Sequence, residues 1–204
     1  NLGMQVAIGL SYTISPRQLA GLLSTPQAVI LQANNDITIN EAIIVNNPSG
    51  NGGNLDLQAG RSIFVNANIT TDSGILTLKA NVGTGSGTID AQRDAGPATI
   101  TMGAGTTLNT GAADIFVTIE NGAGLTFNSS GAITLDNLTT AGNVYVRNLG
   151  PSPASSIQAV SGTSLITEAL LSAVDDWALL SWRLENGTAW RRLLEAARRA
   201  DPHP

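Results

Sequence analysis

Residues 29–40 read VILQANNDITIN, and residues 55–66 read LDLQAGRSIFVN. Both place Leu-Gln-Ala ahead of a short polar turn, and both follow the turn with an alternating strand that ends in Asn. A third version, LKANVGTGSGTID, opens at residue 78, so the motifs start at 31, 57 and 78. Similarity repeated at intervals of 26 and then 21 residues is the mark of a solenoid, in which one repeat makes one coil.

Further alternating runs follow at 98–102 (ATITM), 114–120 (DIFVTIE), 124–128 (GLTFN), 132–138 (AITLDNL) and 143–149 (NVYVRNL). Each is bounded by Gly, Asn, Ser or Asp, the residues that build turns and tolerate left-handed backbone. Alternation of period two gives a strand one apolar and one polar face. In VILQA, Val29 and Leu31 share a face opposite Ile30 and Gln32; in ITLD, Ile133 and Leu135 oppose Thr134 and Asp136. An apolar-Thr-apolar pattern recurs at Thr38, Thr77, Thr101, Thr118, Thr126 and Thr134, which predicts an exterior Thr column. Asn40, Asn66 and Asn128 close their strands and are placed to stack coil over coil.

These features predict an all-β chain folded as a parallel β-helix. A β-sandwich also has short strands at regular intervals, but it does not require internal similarity. At this spacing the repetitive part predicts about six coils and a rod on the order of 30 Å long.

Of the 204 residues 42% are apolar and only 12% are charged, so the solvent face of the strands is built from Thr, Ser and Asn. Lys79 is the single lysine and the net charge is −5, which argues against a nucleic-acid partner, since phosphates require a basic patch. With no cysteine, disulfides, thiolate catalysis and Cys-ligated metals are excluded. The lack of cysteine also suits export of an unfolded chain. No apolar run reaches transmembrane length and no signal peptide opens the chain; the start at Asn1 suggests a processed or excised piece.

Two segments depart from the repeat. SPRQLAGLLSTP (15–26) predicts a short helix with Ser15 as its cap, Pro16 at its first position and Pro26 beyond its end; Leu19, Leu22 and Leu23 would share its packed face. Past Gly162 a single glycine remains, whereas all three Trp (Trp177, Trp182, Trp190) and five of the nine Arg lie there. Ile166, Leu170, Val174 and Trp177 follow helical spacing. Asn186-Gly187 can end that helix, and Thr188 can cap a second one, which predicts a helical hairpin. The organisation expected is therefore 1–28, an N-terminal strand and short helix; 29–163, the β-helix; and 164–204, an amphipathic helical tail, either a cap over the open end or an extension foreign to the repeat.

With the repeats laid out, TISPRQLAGLLSTPQAVILQANNDITINEAI resembles segments of filamentous-haemagglutinin-like proteins, in which a Leu-rich helix precedes a strand of the form LQANNDITV. GGNLDLQAGRSIFVNANITTDSGILTLKAN and AGPATITMGAGTTLNTG are similar to the repeats that follow there, so the resemblance covers roughly residues 12–160. It implies a right-handed parallel β-helix and export by two-partner secretion through an outer-membrane partner. It also implies a place outside the cell, secreted or on the bacterial surface, and adhesion to a glycan or a matrix protein. The Asn-Pro-Asn-Gly signatures of the export module are absent, and the tail beyond 164 matches nothing in the family, so the chain reads as an internal piece of a longer protein.

Parallel β-helices also carry polysaccharide lyases and hydrolases, and glycoside hydrolysis needs two carboxyl groups facing one cleft. Asp36, Asp56, Asp72, Asp114 and Asp136 fall at turns or on outward strand positions. TIDAQRDAG is the densest polar cluster in the repetitive part, with Asp90 and Asp94 flanking Arg93. These three are the candidate catalytic residues; turn carboxylates beside an Arg are more often loop structure, and the expectation is no catalysis and no cofactor. His203, the only histidine, lies between two prolines at the end of the chain and is expected in solvent, so no metal site is expected either. GGNLD (52–56) lacks the second glycine of a calcium-binding repeat, and GTGSG (83–87) lacks the helix of a phosphate loop. Flat paired Thr columns would suit ice, but only Thr99 and Thr101 make such a pair. The tail's Trp residues and Arg191, Arg192, Arg198 and Arg199 could dock a partner or a membrane surface, although Trp177 and Trp190 at helical spacing read first as core. The expected role is a structural or adhesive segment, with a β-helix enzyme and a self-assembling fibre as alternatives.

Overall fold

The computed structural model describes residues 11–151 and the backbone of residues 157–159. The expected helical hairpin and its Trp residues lie outside the described residues, as does His203. The first coil is built of β1 (Val29–Ala33), β2 (Ile37–Ile39) and β3 (Ile43–Ile44). The second holds β4 (Leu55–Ala59), β5 (Ile63–Val65) and β6 (Ile69–Thr70). The third holds β7 (Leu76–Ala80), β8 (Ala98–Met102) and β9 (Thr107–Gly111), and the fourth β10 (Ile115–Ile119), β11 (Ser130–Leu135) and β12 (Asn137–Thr140). The fifth begins with β13 (Val144–Asn148) and β14 (Ile157–Ala159).

Equivalent strands stack in parallel into three sheets, β1-β4-β7-β10-β13, β2-β5-β8-β11-β14 and β3-β6-β9-β12. The chain is a right-handed parallel β-helix. Register is set by the buried face: Leu31, Leu57, Leu78, Val117 and Val146 align across the first sheet. Ile37, Ile63, Ile100 and Ile133 align across the second, and Ile43, Ile69 and Leu108 across the third. A slip of one residue would turn each of these columns into solvent, so the alternation that makes the strands also locks their pairing.

Among the described residues the chain completes four coils and begins a fifth, where about six were expected. Two coils carry excursions, 81–97 after β7 and 120–129 after β10, which use up residues without adding a rung. GLTFN (124–128) lies inside the second excursion and forms no strand; Leu125 is buried and Phe127 exposed although both sit on the same side of the alternation. The expected Thr column also divides. Thr38, Thr101 and Thr134 share a column of the second sheet, interrupted by Phe64. Thr77 and Thr118 lie on the first sheet in different columns, and Thr126 is on no strand. Asn66 does ladder on Asn40, donating through Nδ2 at 2.9 Å, but Asn128 is bound elsewhere. Asp136, expected outside beside Thr134, is buried just past β11 and accepts the Gly105 N–H.

The predicted short helix is α1 (Pro16–Leu23). Leu19 and Leu23 join the core and α1 packs against β3, covering one end of the first coil, whereas Leu22 is 44% exposed. Ser15 caps with its backbone rather than its hydroxyl, its carbonyl accepting the Leu19 N–H. No strand occurs among residues 11–15, and residues 1–10 lie outside the described residues. Chain return from one coil to the next passes through Gly52, Gly53 and Gly74, where a Cβ would collide with the carbonyl oxygens of Thr71, Gln27 and Gly53.

Candidate functional site

The excursion 81–97 leaves the first sheet after β7 and folds back over the corner between the first and second sheets. That corner is formed in the first coil by Asn34, Asn35 and Asp36, the polar turn of the opening motif. Asn34 Oδ1 accepts the Ile89 N–H at 2.9 Å and its Nδ2 donates to Gln92 Oε1 at 2.6 Å. Asn35 accepts the Asp94 N–H at 2.6 Å and donates to the Gln92 carbonyl at 2.8 Å. Gln32, on the outward face of β1, donates to the Ser86 carbonyl. Residues of the third coil are thereby tied to the first.

Arg93 is the centre of this arrangement. It is 3% exposed, and its guanidinium donates to the carbonyls of Gly60 (2.8 Å), Asp94 (2.6 Å) and Gly96 (3.2 Å) and to Asn81 Oδ1 (3.5 Å). Those acceptors are neutral amides, and no carboxylate pairs with Arg93 among the described residues. Burial, and after it the Arg61 guanidinium, pull its pKa below the ordinary value against the opposing pull of Asp36, Asp90 and Asp94. Arg61 itself is clamped by Asp36 through a two-pronged ion pair at 2.8 and 2.6 Å, which raises its pKa.

The two candidate carboxylates face apart. Asp90 turns toward the fourth coil, where its carboxylate accepts the Thr126 N–H at 2.7 Å and the Thr126 hydroxyl at 2.6 Å. Asp94 is exposed, its Oδ2 lies 3.9 Å from Arg61, and its N–H is held by Asn35 of the first coil. The sequence cluster Asp90–Arg93–Asp94 is thus dispersed into three separate bonding tasks. A general acid paired with a base across one cleft would require both carboxyls to converge, and here one is bound to Thr126 and the other stands in solvent. Arg93, with its donors committed to carbonyls, is held as a pin across the second and third coils.

Thr126, its hydroxyl first and its N–H second, holds the Asp90 carboxyl below its ordinary pKa. The unfolded chain lacks these bonds, so the folded pKa is the lower one. The resulting stabilisation is present above the unfolded pKa and is lost as pH falls through the folded one. An NMR titration of the Asp90 carboxyl is expected to give a midpoint below the ordinary aspartate value, moving up in Thr126→Val. An unchanged midpoint in that variant would contradict the assignment.

The first sheet presents a second chemical surface. Its outward columns run Ile30, Asp56, Thr77, Phe116, Tyr145 and Gln32, Gln58, Lys79, Thr118, Arg147. Phe116 and Tyr145 stack with ring centroids 4.7 Å apart and planes 7° from parallel, so their faces cover each other. Lys79 pairs with Asp56 at 3.2 Å. No group of three or more His, Asp or Glu able to hold a metal occurs among the described residues.

Sequence reasoning singled out the 90–94 cluster but missed its partners Asn34, Asn35, Arg61, Asn81 and Thr126. Asn34 and Asn35 looked like ordinary turn residues, and nothing local announces that a loop 55 or more residues later lands on them. Comparison of the chain with family models, with curated proteins and with solved structures returns no match.

Proposed function

We propose that this chain is a stalk segment of a filamentous-haemagglutinin-like surface protein, exported by two-partner secretion through an outer-membrane partner, which spaces or displays adhesive sites outside the cell. The observation that carries the reading is the unbroken register of the first sheet through five coils, β1 to β13. A rod of this kind bears load through a continuous ladder of backbone hydrogen bonds along its axis, which is what a spacer needs. The outward strand positions of its second and third sheets are mainly Thr and Asn, a surface that stays in water without charge. The wording of residues 12–160 supports the family reading.

The rival is a β-helix enzyme on polysaccharide that uses Asp90, Arg93 and Asp94. Binding of the purified chain to a glycan and matrix-protein array, with Asp94→Ala alongside, separates the two. The stalk reading expects either no binding or binding that Asp94→Ala leaves intact, with no product from any bound sugar. Release of product by the parent chain, abolished in Asp94→Ala, would sink it.

A further inference from the structure

Asn121 and Gly122 open the excursion of the fourth coil, and we propose that they form a self-modifying site at which Asn121 deamidates through a succinimide while the protein remains folded. The Gly122 nitrogen gives up its proton to solvent base and its electron pair forms a bond to Asn121 Cγ. The Cγ–Nδ2 bond breaks, and Nδ2 leaves with a solvent proton as ammonia. Water then adds to either carbonyl of the ring and opens it to aspartate or isoaspartate. Water is the only co-reactant, and nothing is oxidised or reduced.

Three features converge on this pair. Negative charge develops on Asn121 Oδ1 during attack, and the Ala123 N–H already donates to that oxygen at 3.1 Å. The nucleophile belongs to a glycine, with no side chain to obstruct the ring, and its N–H makes no hydrogen bond to any described residue. Asn121 and Ala123 are exposed and bring water to the ring from either side, while Gly122 itself is buried against the side chains of Asn81 and Asn128.

Other asparagines of the rod have one half of this arrangement. Asn47, Asn109 and Asn148 each receive on Oδ1 a backbone N–H two residues on, at 2.8, 2.9 and 3.2 Å. The residues that follow them are Pro48, which has no N–H, the branched Thr110, and Leu149, whose N–H is bound to the Ile119 carbonyl at 2.8 Å. Asn51 is followed by glycine, but the Gly52 N–H is donated to the Asp72 carbonyl at 2.7 Å. Among the described residues only Asn121 combines the polarised amide with a free glycine nitrogen.

The product reaches beyond its own loop. Isoaspartate lengthens the backbone between 121 and 122 and displaces the Asn121 carbonyl, which accepts from Asn128 Nδ2 at 2.7 Å. Asn128 in turn accepts from Asn81 at 2.9 Å, and Asn81 accepts from Arg93. Ageing at Asn121 therefore loosens the amide chain that leads to the buried guanidinium.

The test is incubation of the folded chain at mildly alkaline pH, with peptide mass spectrometry that separates aspartate from isoaspartate, read at Asn51, Asn109, Asn121 and Asn148, and repeated in urea. Asn121 is expected to convert faster than Asn51 by at least about tenfold in the folded chain, a floor set below the roughly 100- to 1000-fold that one oxyanion donor contributes in an enzyme. In urea the Asn51-Gly52 and Asn121-Gly122 pairs should converge, because both lose their tertiary bonds. Equal rates at Asn51 and Asn121 in the folded chain, or conversion of Asn121 only in urea, would overturn the proposal.

Discussion

Arg93→Leu is expected to destabilise the rod by about 2–9 kcal/mol, the cost of leaving two or three buried carbonyls unpaired at roughly 1–3 kcal/mol each. The Gly60 and Gly96 carbonyls and Asn81 Oδ1 lose their donor together, and leucine offers them nothing. Arg93→Lys keeps the charge but not the planar fork, and one ammonium cannot reach acceptors spread over two coils, so it should recover less than half of the loss. The measurement is the denaturant midpoint with its slope. A fall in midpoint at constant slope reports lost stability, whereas a changed slope would mean that the excursion alone had melted. The amides of Ile89 and Asp94, which bond to the first coil, should exchange faster in both variants. A loss below about 1 kcal/mol for Arg93→Leu would mean that the guanidinium is a passenger in the loop rather than its pin.

Ile100→Ala is the other large effect. Ile100 is fully buried and aligned between Ile63 and Ile133, so its truncation opens a cavity in the middle of a continuous column. Neighbouring coils are fixed at the spacing of their ladders and cannot collapse onto the gap, which places the cost at about 2–5 kcal/mol. Thr101→Ala, one residue on and facing out, should change stability by no more than about 0.5 kcal/mol. A thermal or denaturant midpoint for each variant checks the pair. Similar losses at both positions would mean that the strand is stabilised by its outer surface, against the alternation that organises the whole chain.

Much of the fold was legible because a β-helix writes its geometry locally. Alternation in VILQA, LDLQA and LTLKA determines which side chains face inward. Repetition of the motif indicates that the strands are equivalent, and the stacking of Asn40 and Asn66 follows from their equivalent positions. Pro16 starts α1 through its fixed φ, a property of the residue and not of its surroundings. The candidate site was less legible. Asp90, Arg93 and Asp94 stood out as charges in a poorly charged chain, but their proximity in sequence said nothing about where each would point. A loop residue takes its direction from whatever it lands on, and Thr126, Arg61 and Asn35 are supplied by other coils.

By itself, then, the sequence determined the strand content, the inward face and the stacking of like on like, because period-two burial is a property of each short segment. The tertiary structure alone decided the number of coils, the division of the Thr column between sheets, the exposure of Leu22 and the burial of Arg93. Those features depend on how many residues an excursion consumes and which coil it returns to. Pairing between residues as far apart as Asn35 and Asp94 is chosen by the closure of the stack, and no local pattern carries that information.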